Sequence, residues 1–141
     1  MESDSSGIMA RPYRCVVAAV IQKNGRILIG QRRRGDSHEL KWEFPGGKVE
    51  PRENPRDALQ RELEEELCIQ ARIGPEMIRY TFQYPGRRPI LLIFHRVTDF
   101  IGEPRGAVFE QIRWEEPARL PDYPFVEGDT DFVRRLARGE F

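Results

Sequence analysis

Glu62, Glu65 and Glu66 place three carboxylates within a single stretch of chain, Arg61-Glu62-Leu63-Glu64-Glu65-Glu66. Glu62 and Glu66 are four apart, and Glu65 follows Glu62 by three, so on a helix all three share a face. Like charges at this spacing repel by about 0.2–0.5 kcal/mol per pair. A cation on that face removes the repulsion. Hard divalent ions such as Mg²⁺ take carboxylate oxygens together with water and substrate phosphate. Taken alone, the same face could be a solvated acidic surface. Arg61 stands four after Asp57 and four before Glu65, which is salt-bridge spacing on any helix.

The elements that must hold these carboxylates are legible on either side. Asn54-Pro55 starts a helix: Asn caps free backbone N–H groups, and Pro fits the first helical position. Nothing breaks the helix before Leu67, and Leu59, Leu63 and Leu67 form one apolar stripe. Upstream lies Trp42-Glu43-Phe44-Pro45-Gly46-Gly47-Lys48-Val49-Glu50. Its Gly-Gly pair permits close backbone approach and positive φ, which suits a loop that lends the Gly46 carbonyl to a metal. Loop and helix together form a pattern of more than twenty residues, far more specific than a lone glycine motif.

Gly47 to Ile69 reads GKVEPRENPRDALQRELEEELCI. It resembles the box of the Nudix family: Gly, five residues, Glu, seven residues, Arg-Glu, an apolar residue, any, Glu-Glu, any, Gly, an apolar residue. Only the last glycine departs, being Cys68 here. The family glycine ends the helix in a left-handed conformation, so Cys68 costs on the order of 1 kcal/mol and removes no carboxylate. The run before the box, with Tyr84-Pro85-Gly86-Arg87, Gly102-Glu103-Pro104 and Ile112-Arg113-Trp114, is similar to the MutT-like branch. The resemblance covers roughly residues 13–136.

The resemblance implies several roles. Glu62, Glu65 and Glu66, with Gly46, hold Mg²⁺, for which Mn²⁺ can substitute. Glu110 binds metal or helps deprotonate water. Arg61 holds the carboxylates in place. Phe44 packs on the base, Arg32 and Arg87 lie near the base or the phosphates, and Asp129 bonds the base edge. An ionised Asp129 only accepts hydrogen bonds, which suits guanine. Asp129 and Asp131 also compete as caps for the last helix. The implied reaction is hydrolysis of a nucleoside triphosphate, such as 8-oxo-dGTP, to a nucleoside monophosphate and pyrophosphate. CTP analogues, dinucleoside polyphosphates and nucleotide sugars are alternative substrates. A non-catalytic Nudix-fold binding or regulatory module is an alternative of another class, disfavoured by the intact carboxylate set.

The 141 residues suffice for one domain with a real core. Lys+Arg and Asp+Glu both number 23, which argues against a polymeric nucleic-acid partner or a polybasic membrane anchor. One nucleotide needs only a local patch. Cys15 and Cys68 show no metal spacing, there is no bilayer-spanning run, and a cytoplasmic location is expected. No oligomeric state can be read. Residues 1–11 read as a disordered tail and 12–141 as one domain. Strands are expected at 13–22, 26–31, 71–84, 87–97 and 109–115, with loops at 100–106 and 117–124 and a last helix over 131–138. His95 reads as structural and His38 as a loop residue. The layer pattern is α+β, and the resemblance implies the Nudix α/β/α sandwich, a mixed curved sheet between helices.

Overall fold

A computed structural model describes residues 13–141; the tail at 1–11 lies outside them. Strands β1 (Arg14–Lys23), β2 (Arg26–Gln31), β3 (Trp42–Glu43) and β4 (Gly46–Lys48) precede helix α1 (Pro55–Leu67). Then come β5 (Gln70–Arg72), β6 (Glu76–Phe82), β7 (Ile90–Val97), β8 (Asp99–Ile101), β9 (Gln111–Glu115) and helix α2 (Thr130–Ala137). Short 3-10 turns occupy Pro117–Asp122 and Glu127–Asp129.

The principal sheet is mixed. β1 runs parallel to β7 and antiparallel to β4 and β2, while β6 flanks β7 and β3 and β9 flank β2. The apolar run of β1 is buried on both faces, as expected for a central strand. Its alternate side chains divide two cores. Val17, Ala19 and Ile21 pack with Leu59, Leu63 and Leu67 of α1. Ala18 and Val20 pack with Phe132, Val133 and Leu136 of α2, beside Phe44 and Phe94. A helix thus covers each face of the sheet, as the fold expectation required. No described helix is long and apolar enough to cross a membrane.

Two expected elements differ. The stretch 71–84 is not one strand, because Gly74-Pro75 breaks it. Gly74 N–H bonds Arg96 O and Arg96 N–H bonds Pro75 O, so the chain turns there. Gln70–Arg72 is thereby released from β7 and pairs with Asp99–Ile101, converting the first part of the expected 100–106 loop into strand β8. His95 is indeed buried, with Nδ1 2.9 Å from Gly74 O.

Candidate active site

α1 and the β3–β4 loop form the site together. Asn54 caps α1 by accepting from Asp57 N–H at 2.9 Å, and Pro55 opens the helix. The leucine stripe buries one side, which turns Glu62 and Glu66 toward the loop. The glycines let that loop lie close. Gly46 has φ 156°, and a Cβ on it would come within 2.0 Å of Val17 O. A Cβ on Gly47 would meet the Glu62 carboxylate at 2.4 Å. Gly46 N–H donates to Glu66 Oε1 at 3.0 Å. The Gly-Gly pair is therefore required where strand β4 is pressed between β1 and the acidic face of the helix.

A cleft of about 620 Å³ opens there, lined by Arg32, Glu43, Gly46, Glu62, Glu66 and Asp129 among others. Its acids are strongly affected by their surroundings. Burial pushes the Glu66 carboxyl up to about 8; the Gly46 N–H opposes this, and the charges of Glu43 and Glu62 add to it. Burial likewise raises Glu62 and Glu43, with Arg61 and Arg32 respectively opposing. Asp129 is pushed up to about 8, first by burial and then by the Glu43 charge, against a hydrogen bond from the Phe44 backbone. Burial thus favours the carboxylic acid over the carboxylate at this position. In that form Asp129 offers an O–H donor beside its acceptor oxygens, in place of the accept-only carboxylate expected from the sequence.

Arg61 does not line the cleft. It donates to both oxygens of Glu53 at 2.8 and 3.0 Å, to Glu62 at 3.2 Å, to Glu65 at 3.3 Å and to the Lys48 carbonyl at 3.2 Å. One planar guanidinium thus ties the loop to the helix, a task suited to Arg's fork of donors. The box glutamate Glu53, six residues after Gly47, is the far anchor of that tie.

The donor chemistry fits a hard divalent ion. Glu62 and Glu66 present carboxylate oxygens to the cleft, and Glu66 Oε2 has no hydrogen-bond partner among the described residues. Among those residues no three acidic, His or Cys side chains stand together as a closed cage. An ion held by two carboxylates, with backbone, water and phosphate completing its shell, matches the usual habit of Mg²⁺.

The remaining expected residues divide. Arg32 lines the cleft and is held by Glu43 at 3.2 Å and by Ser37. Arg87 lines it from the β6–β7 loop. Glu65 is mostly exposed, faces Arg61 and does not line the cleft. Glu110 is exposed and does not reach it; only its backbone is engaged, through Gln31 O. Phe44 borders the cleft but is only 3% exposed, its ring enclosed by Phe94, Phe125 and Phe132. It offers a base little surface. Asp129 makes no side-chain cap bond to α2.

Sequence reasoning missed Glu43, His38 and Tyr84. Glu43 had a signal: in a strand its side chain must point opposite to the buried Trp42. His38 and Tyr84 had none, since their rings meet at 4.8 Å across two different loops to wall the cleft.

Residues 11–136 match the family model described as NUDIX domain. The chain is 40% identical over 118 residues to a CTP pyrophosphohydrolase of Escherichia coli, covering 84% of this chain and 87% of that protein. It is 38% identical over 122 residues to an 8-oxo-dGTP diphosphatase of Haemophilus influenzae, covering 85% and 89%. The fold is similar to the crystal structure of a MutT NUDIX hydrolase from Burkholderia pseudomallei, with TM-score 0.77, 28% identity and coverage of 87% and 96%.

Proposed function

This chain belongs to the Nudix family and is a nucleotide pyrophosphohydrolase, and from that premise we propose the residues that carry the reaction. Glu62 and Glu66, with the Gly46 backbone, hold Mg²⁺ or Mn²⁺. Glu65 joins them only on leaving Arg61. The bound ion offsets phosphate charge and lowers the pKa of a coordinated water. Arg61 keeps the carboxylates in register. Arg32 and Arg87 flank the phosphates, His38 and Tyr84 wall the cleft, and Asp129 reads the base. Glu110 has no place in this arrangement. The products are a nucleoside monophosphate and pyrophosphate.

The observation that carries this reading is the meeting of Glu62, Glu66, Gly46 and Asp129 in one cleft. Two substrate readings follow from Asp129. As an acid, it can donate to guanine O6 and accept from N1–H, which fits a guanine-type triphosphate such as 8-oxo-dGTP. It can equally donate to cytosine N3 and accept from the exocyclic amine, which fits CTP. The two named relatives carry one activity each. Turnover of 8-oxo-dGTP, dGTP, CTP, dCTP and ATP, with products identified and with Mg²⁺ added or chelated, tests the whole reading. Metal-independent turnover, or release of inorganic phosphate alone, would overturn it.

A further inference from the structure

Two tyrosine hydroxyls grip a single residue at one end of the cleft. Tyr80 Oη donates to the Gly128 carbonyl at 2.6 Å, and Gly128 N–H donates to Tyr84 Oη at 2.8 Å. Tyr80 belongs to β6, and Tyr84 lies just past its end. Gly128 sits in the 3-10 turn ahead of α2 and directly precedes Asp129. Both polar groups of one residue are thus tied to β6 and to the chain just past it, more than forty residues away. Asp129 N–H is in turn bonded to Val126 O. Tyr84 lines the cleft, whereas Tyr80 does not. The polar contact of Tyr80 toward the cleft therefore runs through the segment it holds.

We propose that Tyr80 and Tyr84 are positioning residues that set base selectivity by clamping Gly128 and so fixing Asp129 at the end of the cleft. The inference rests on the reading of Asp129 as the base-contacting residue. A short turn alone fixes a carboxyl poorly, and recognition of a base edge requires placement within fractions of an ångström. Two hydrogen bonds to opposite sides of one residue fix both the height and the tilt of the following side chain. Tyr80 is pinned within β6 opposite Leu92 of β7, and Tyr84 follows two residues after that ladder ends at Phe82.

The test uses the full chain and four variants: Tyr80→Phe, Tyr84→Phe, Asp129→Ala, and Tyr80→Phe combined with Asp129→Ala. For each, kcat and KM are measured on the preferred nucleoside triphosphate and on a poor one. Backbone amide exchange at Gly128 is followed by NMR without nucleotide. Tyr84→Phe should speed exchange at Gly128. Tyr80→Phe should raise KM for the preferred base by roughly five- to tenfold, leave kcat within about twofold, and lower selectivity toward that of Asp129→Ala. In the Asp129→Ala background it should change selectivity no further. If Asp129→Ala keeps full selectivity, the reading of Asp129 fails and the inference falls with it. If Asp129→Ala loses selectivity but Tyr80→Phe keeps it, the clamp alone is overturned. Additive losses in the combined variant would likewise overturn it, since they would mean a route other than Asp129.

Discussion

Glu66 and Asp129 are both acids whose burial raises them to about 8, yet they serve different ends. Glu66 lies among other carboxylates with a free oxygen, as an ion site requires. Glu66→Gln keeps shape and the Gly46 hydrogen bond but removes the oxygen that would ionise when a cation binds. Turnover should fall on the order of 100-fold or more, with an unchanged far-UV spectrum and melting temperature; full activity would exclude Glu66 as a metal ligand. Asp129 gives a pH prediction. Its folded pKa lies above the unfolded value of about 4. Between about pH 4 and 8 the folded state therefore binds more protons than the unfolded state, and stability from this group falls as pH rises. Below that window the contribution is fully present, and above it the loss is complete. Asp129→Asn removes the titration. Relative to the wild type, it should gain on the order of 3–4 kcal/mol between pH 5 and pH 8 in urea unfolding. Parallel curves for the two proteins would mean that Asp129 is not held neutral.

At the scale of elements, α1 decides the geometry, and each end has a definable cause. Its N-terminus is capped by Asn54. Its C-terminus ends at Cys68, at φ 61° and ψ 34°, with Cys68 N–H bonded to Glu64 O. That is the left-handed position where a glycine is at home and a cysteine is strained. Cys68→Gly should stabilise by up to about 1 kcal/mol and leave turnover alone, since no carboxylate depends on that side chain. A clear drop in melting temperature would count against the strain argument. The other element-scale device is the Arg61 tie between loop and helix. Lys has a single ammonium in place of the fork, so it cannot serve Glu53, Glu62, Glu65 and the Lys48 carbonyl together. Arg61→Lys should lose about 1 kcal/mol, a figure kept small by partial exposure, and should lower kcat through misplaced carboxylates. Unchanged kinetics in Arg61→Lys would show that the tie has no bearing on the site.

Across the whole molecule, the two helices cover opposite faces of one sheet, and the cleft takes Glu62 and Glu66 from one side and Asp129 from the other. Metal and nucleotide should therefore stabilise both layers together. A chelator should abolish turnover, and Mg²⁺ or Mn²⁺ should restore it. Thermal melts should rise with Mg²⁺ and rise further with added nucleoside monophosphate, following mass action. The metal-dependent part of the rise should be lost in Glu66→Gln; a rise that persists there would place the ion elsewhere.

By itself the sequence determined α1, its cap, its leucine stripe, the Gly-Gly loop and the strained helix end at Cys68. Each depends on interactions within a few residues, where period, capping and backbone sterics act directly. The strand at β1 was also readable, because its Val, Ala and Ile run suits a strand buried on both faces. Tertiary structure decided the rest. The break at Gly74-Pro75 sent β5 to β8 because of bonds to Arg96, which no local pattern contains. Glu65 and Glu110 match a motif or a position in the chain, yet packing turned them away from the cleft. Glu43, His38 and Tyr84 entered it through contacts between separate loops. The raised pKa of Asp129 follows from burial and from the charge of Glu43, many residues away. Desolvation and charge neighbours belong to the folded assembly, so the spacing of residues along the chain could propose that acid's position without fixing its chemical state.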